Sequence, residues 1–198
     1  MTSQRIAVDL FCDFDGVICP ITKLQHDEEE EAPSIDASNT YPIDRSGKIN
    51  TKWSSELAGN LRYLIDQRLV RWHWLTSNWP IIGFINELLR FDSSQTVTEE
   101  LWTINSSTHI RLVAGGKASI IKRYIISNAH RPNKRAIAWI DDDYSSNDAE
   151  VRQLTDLAEQ NGIPFLLITP NCETGLNRLD MYKLCQFIDS STKWANRQ

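Results

Sequence analysis

Apolar positions in this chain fall into short blocks set apart by polar segments, and strand-like and helix-like periods alternate along it. Residues 5 to 12 (Arg-Ile-Ala-Val-Asp-Leu-Phe-Cys) are a mostly apolar, β-rich run suited to a central strand buried on both faces. From Cys19 to about Thr51 the pattern dissolves into acids, Pro33, Pro42, Gly47, Ser and Asn, which predicts a long polar loop with room for a hairpin. Trp53, Leu57, Leu61, Leu64 and Ile65 then recur at helical spacing, and Val70, Trp72 and Trp74 alternate with Arg71 and His73 in a strand ending near Thr76. Asn78 caps the next predicted helix, with Pro80 in its first turn and Ile81, Ile82, Ile85, Leu88 and Leu89 on its buried stripe. Residues 92 to 112 carry only weak strand signals, at Leu101–Ile104 and Ile110–Val113. Gly115-Gly116 leads into a helix bearing Ile120, Ile121, Tyr124 and Ile125, and the apolar strand Ala136–Ile140 runs straight into Asp141-Asp142-Asp143. Asn147 or Ser146 is the expected cap of a helix through Glu159, closed by Gly162; Ile163–Thr169 reads as a strand and Leu176–Asp189 as a last amphipathic helix.

Strands alternating with helices predict an α/β, Rossmann-like fold with a mainly parallel central sheet and helices on both faces. Such sheets bind ligands beyond the carboxyl ends of their strands. That rule gives the polar residues their meaning. Asp13 with Asp15, Thr76 with Ser77, and Asp141 to Asp143 each follow an apolar strand, and Lys117 opens a helix. Four separated segments thus deliver acid, hydroxyl, amine and acid to one edge.

Composition narrows the class. A chain of 198 residues suits one domain spanning 1–198, with a polar flap at about 19–52. A hydrophobic share of 41% is enough for a full core and excludes wholesale disorder. No apolar run approaches the ~18–20 residues of a membrane span, and mean hydropathy is −0.39. Asp9, Asp13 and Asp15 interrupt any signal-peptide core, and the four cysteines form no C-x-x-C pair that would suggest zinc or a disulfide framework. A cytoplasmic protein without a membrane partner is expected. The net charge of −5 is accounted for by Asp27 and Glu28 to Glu31, without which acids and bases balance at 21 each. A generally basic nucleic-acid binder is not indicated, which leaves room for a local basic patch.

Several carboxylates with no His or Cys cluster suit a hard cation such as Mg²⁺. A lysine and a hydroxyl beside them suit phosphoryl oxygens. One further carboxylate can attack phosphorus, and a second, two residues on, can protonate the leaving group and then deprotonate water. Taken singly, each feature has a structural explanation. Asp and Gly favour turns, Thr76 can end a strand, Lys117 can start a solvated helix, and Asp141–Asp143 can sit before a helix whose dipole favours acids. Their joint placement is what points to chemistry. His73 is read as packing on its strand, Cys12 as core on the face opposite the acids, and Trp79 as able to stack on a base.

Asp13-Phe-Asp15-Gly16-Val17 after an apolar strand resembles the first motif of the haloacid dehalogenase (HAD) superfamily. The strand ending Trp74-Leu75-Thr76 resembles the second motif, Lys117 the third, and Trp139-Ile140-Asp141-Asp142 the fourth, all in the family order. Within that superfamily the chain is most similar to the small HAD module of Swiss Army Knife RNA repair proteins. The resemblance implies an Mg²⁺-dependent phosphomonoesterase with an aspartyl-phosphate intermediate. Asp13 would be the nucleophile and Asp15 the acid/base, with Thr76, Ser77 and Lys117 binding phosphate. Asp13, Asp15 (through its backbone carbonyl), Asp141 and Asp142 would serve the metal, and Asp143 leaves open which of the three consecutive acids face it.

Neither spacer between these motifs has room for an independent cap, so a capless or minimally capped HAD fold is expected. By family analogy an open site suits large substrates, such as a polynucleotide end or a phosphoprotein, or else small ones accepted loosely. The alternative is a HAD-fold binding or regulatory module with little turnover, against which the intact Asp13 and Asp15 count. A two-component receiver also uses acids, Thr and Lys, but places its acidic pair first and its phosphorylated Asp later, an order opposite to this one.

Overall fold

The computed structural model describes residues 6–21, 38–45, 52–77, 81–99, 102–104, 110–112 and 116–197. Five strands form the central sheet: β1 (Val8–Cys12), β4 (Val70–Trp74), β5 (Thr96–Thr98), β8 (Ala136–Ile140) and β9 (Phe165–Ile168). The minor strands are β2 (Asp44–Arg45) with β3 (Lys52–Trp53) and β6 (Trp102–Ile104) with β7 (Ile110–Leu112), each an antiparallel pair. The helices are α1 (Ser55–Asp66), α2 (Ile82–Leu89), α3 (Gly116–Ala129), α4 (Ala149–Gln160) and α5 (Arg178–Ala195).

The sheet runs β5-β4-β1-β8-β9 and every pairing in it is parallel. Alternation sorts its side chains to two faces. Val8, Leu10, Cys12, Trp72, Trp74, Ala138 and Ile140 pack with Leu61 and Ile65 of α1, Ile85 and Leu89 of α2, and Leu184 and Ile188 of α5. Phe11, Leu75, Ile137 and Trp139 turn the other way, onto Ile121 and Ile125 of α3 and Val151, Leu154 and Ala158 of α4. Large side chains buried this completely contribute about 1.5–3 kcal/mol each relative to exposure, and Trp72, Trp74 and Trp139 are among the largest fully buried. The fold is α/β and Rossmann-like, with helices on both faces.

Helix ends follow local chemistry. The Ser54 hydroxyl accepts from the Leu57 N–H at 3.2 Å to cap α1, and Asn177 with Asp180 forms a reciprocal capping box on α5. The pattern differs from sequence expectation at several points. Trp53 lies in β3 and α1 begins only after it, because Ser54 takes the cap. The N-cap of α4 is Asp148, not Asn147 or Ser146, and the Asp148 carboxylate turns back to accept from Ser145 N–H at 2.7 Å. α5 continues to Ala195, past Asp189. β5, a three-residue edge strand with Thr96 and Val97 partly covered and Thr98 exposed, carried no clear sequence signal. Asn78, Trp79 and Pro80 lie outside the described residues, as do residues 22–37 and 46–51 of the polar flap.

β1 is flanked by β4 on one side and β8 on the other, so the strand order reverses at β1. A crevice opens at such a reversal, beyond the carboxyl ends. Backbone hydrogen bonds carry the registration past the strands: Leu75 N–H donates to Cys12 C=O, Asp13 N–H to Ile140 C=O, and Asp141 N–H to Ile168 C=O, at 2.9, 3.0 and 3.1 Å.

Candidate functional site

Those three bonds fix where the polar residues begin. Asp13 leaves the end of β1 and Asp141 the end of β8, adjacent strands, so the two carboxylates face one another although 128 positions separate them. Lys117, in the first turn of α3, lies between them. Its ammonium donates to Asp13 Oδ2 and to Asp141 Oδ2, the latter at 2.8 Å, while Asp143 Oδ2 stands 3.9 Å away. The second Asp13 oxygen accepts from the Phe14 N–H at 2.7 Å, so this carboxylate is held at both ends.

Asp141 is likewise held. Its Oδ2 also accepts from Trp139 Nε1 at 3.3 Å and its Oδ1 from Asp143 N–H at 3.1 Å. Asp13, Asp141 and Lys117 are all buried, while Asp142 is partly covered and Asp143 exposed. Burial pushes the Asp141 carboxyl up to about 7; Lys117 works against that rise and the Asp13 charge adds to it. Asp142 is raised too, by burial first and then by Asp143 and Asp13. Burial alone would lower the Lys117 ammonium, but Asp13 and Asp141 overcome it and raise its pKa.

Asp13, Asp141 and Asp142 each present a carboxylate oxygen, and the three oxygens lie within 4.8 Å of one another. An all-carboxylate group of this size fits a hard divalent cation. The approach of Asp142 depends on Gly16. Gly16 has φ +68°, and a Cβ there would collide with the Asp142 carboxylate. Asp15 lies on the same loop, partly covered, with its side chain outside that three-carboxylate group. Thr76 is fully buried just past β4, and Ser77 is exposed next to it.

The sequence reading passed over the residues that brace this edge. Tyr144 packs its ring against Trp139 with centroids 4.4 Å apart, and its carbonyl accepts from the Thr169 hydroxyl at 2.6 Å. Trp139 thereby links the Asp141 carboxylate to the segment that follows it. On the same side of the sheet, Asp9 is wholly buried in β1, where it accepts from Tyr124 Oη at 2.8 Å and meets His73 Nε2 at 3.1 Å. His73 Nδ1 meets Glu99 Oε1 at 3.2 Å, and its ring stacks on Phe11. His73 thus packs on its strand and is also an internal ion-pair partner. The available signal was a lone acid inside an apolar strand opposite a lone histidine. Cys12 turns to the α1 and α5 side, where burial raises its thiol.

Among solved structures, the HAD domain of the effector protein Lem4 from Legionella pneumophila superposes with a TM-score of 0.51 at 13% identity, covering 94% of this chain and 99% of that one. An inactive mutant of the same domain gives 0.52 at 12%, covering 96% and 98%. This chain has a HAD fold. No protein-family model and no curated protein matches its sequence. In this chain Asp13, Thr76 and Asp141 follow the carboxyl ends of β1, β4 and β8, neighbouring strands of the parallel sheet. Among the described residues no helix is long and apolar enough to cross a membrane.

Proposed function

We propose that this protein is an Mg²⁺-dependent phosphomonoester hydrolase that works through an aspartyl-phosphate on Asp13. The observation that carries the reading is Lys117 bridging Asp13 and Asp141, with Asp142 beside them, at the carboxyl edge of a HAD fold. Asp13 Oδ attacks phosphorus while the bond to the ester oxygen breaks, and Asp15 gives its proton to that departing oxygen. Water then attacks the same phosphorus, Asp15 takes its proton, and inorganic phosphate leaves with Asp13 restored. Lys117 offsets the repulsion between Asp13 and the incoming dianion, and Thr76 and Ser77 hold phosphoryl oxygens. Asp13, Asp141, Asp142 and the Asp15 carbonyl would hold Mg²⁺, which supplies fixed positive charge beside the phosphoryl group. A phosphorylated polynucleotide end is the favoured substrate, in keeping with the resemblance to Swiss Army Knife RNA repair modules, and a cytoplasmic single domain the favoured setting.

A screen of small phosphoesters and of oligonucleotides phosphorylated at the 3′ or 5′ end, with and without Mg²⁺, tests this reading. Turnover should require the metal and vanish in Asp13→Asn, whose amide cannot act as the nucleophile. Asp15→Asn should lose most turnover yet accumulate phosphoenzyme from a substrate with a good leaving group. Normal, metal-dependent rates in Asp13→Asn would rule out the covalent route.

A further inference from the structure

Residues 101 to 140 contain seven Lys and Arg and not one Asp or Glu, leaving 14 basic against 26 acidic residues in the rest of the chain. The net charge of −5 therefore conceals two segregated parts. The basic part includes α3 and the segment 130–135, His-Arg-Pro-Asn-Lys-Arg, which leads into β8. α3 starts beside the candidate phosphate site at Lys117 and ends at the opposite edge of the sheet, where β8 begins.

On one flank of α3 three guanidinium groups converge. Arg71 Nε lies 4.0 Å from Asp9 Oδ1, Arg135 Nη1 3.5 Å from Asp9 Oδ2, and Arg131 Nη1 3.5 Å from Tyr124 Oη, with the Arg131 guanidinium 5.5 Å from the Tyr124 ring centre. The acids facing them are Asp9 and Glu99, and Glu99 meets His73. Three arginines and a histidine around two carboxylates leave a cationic surplus, and Arg71 and Arg135 keep part of their side chains in solvent. Arg123 is exposed on the outer face of α3 and forms no ion pair among the described residues. The other flank differs in kind. There Lys122 lines a groove of about 460 Å³ together with Glu150 and Asp156 of α4.

We infer that the Arg71–Arg123–Arg131–Arg135 side of α3 is a docking surface for the phosphate backbone of a single-stranded polynucleotide. Planar guanidinium groups bind phosphate oxygens in pairs, and a cluster of three around Asp9 and Tyr124 at the end of α3, with Arg123 exposed on the helix nearby, meets a polymer with regularly repeated charge. The acids of α4 confine the strand to the arginine flank. The surface stands apart from the hydrolytic reading, since it requires no turnover at Asp13.

Binding of a fluorescent oligonucleotide without terminal phosphates to the full Asp13→Asn chain tests this surface separately from the active site. Arg123→Gln/Arg131→Gln should weaken binding about tenfold at about 50 mM salt and flatten the plot of log K against log salt by about 1.4, at ~0.7 per phosphate contact. Arg123→Gln alone, at an exposed position, should give about half of that flattening, and Arg123→Lys/Arg131→Lys should restore most of it. Lys122→Gln should change the slope less than Arg123→Gln. An unchanged slope in the double variant, or no binding by the parent chain, overturns the inference. So does binding to phosphatidylserine vesicles in place of the oligonucleotide, which would make the surface a membrane contact.

Discussion

Gly16 does two jobs that no other residue can combine. Its φ of +68° turns the loop after β1, and its missing side chain admits the Asp142 carboxylate. Gly16→Ala should cost about 1–2 kcal/mol of stability from left-handed strain and should displace Asp142. Calorimetric titration should then show Mg²⁺ binding at least tenfold weaker, with the remaining fold intact by circular dichroism; unchanged Mg²⁺ affinity would remove Asp142 from the metal group. Asp141 gives a second measurable quantity. Its carboxyl, raised by burial from 3.8 to about 7, must be ionised to hold a cation, so protons and metal compete for it. Mg²⁺ affinity should rise between about pH 6 and about pH 8, by up to about tenfold per pH unit below the raised value, and level off above it. The sign for stability is opposite. Because the folded state holds this proton more tightly than the unfolded chain, the contribution of Asp141 to stability declines as pH climbs from 3.8 towards about 7.

β1 and β4 are joined by more than their ladder, because Asp9 and His73 form a buried pair between them. Burial opposes the charge on both, yet hydrogen bonds and opposite charge win: Asp9 is lowered, and His73 is raised by Asp9 and Glu99. The histidine's contribution to stability is therefore fully present below about 6.5 and lost as pH rises through its raised folded value. His73→Gln should cost about 3 kcal/mol or more in urea denaturation at pH 6, since Asp9 would lose a buried charged partner. The decline on the alkaline side should disappear in that variant, and a parallel pH curve would show that the pair contributes nothing. Such pairs also explain what was legible in the sequence. β1, β4, β8 and β9 could be read because their apolar runs face two covered sides, and the motif residues could be read because they sit where those runs stop. The weak signals at Leu101–Ile104 and Ile110–Val113 correspond to β6 and β7, whereas β5, three residues at a sheet edge, is too short for a period to show. Trp139, Tyr144 and Asp9 escaped because their roles arise from contacts across elements, which spacing along one element does not encode.

Charge is divided across this protein: acids crowd the segment from Asp27 to Glu31, and Arg71, Arg131 and Arg135 gather near the end of α3. Replacing Glu28 to Glu31 with Gln should raise kcat/KM for a phosphorylated oligonucleotide at low salt, leaving a small phosphoester nearly unchanged. Screening reaches ~30 Å at 0.01 M and only ~8 Å at 0.15 M, so the difference should fade in salt. Equal effects on both substrates would take this segment out of substrate selection. The central position of β1 bears on how the protein is made. During synthesis β1 finds one neighbour in β4 but waits for β8, whose last residue is Ile140, before its other edge closes. At ~5–20 residues per second that wait lasts roughly 10 s, with an apolar strand open to chance pairing. Asp13 gains Asp141 only when it ends. A nascent chain that stops short of that point holds Asp13 without the two carboxylates that complete its group.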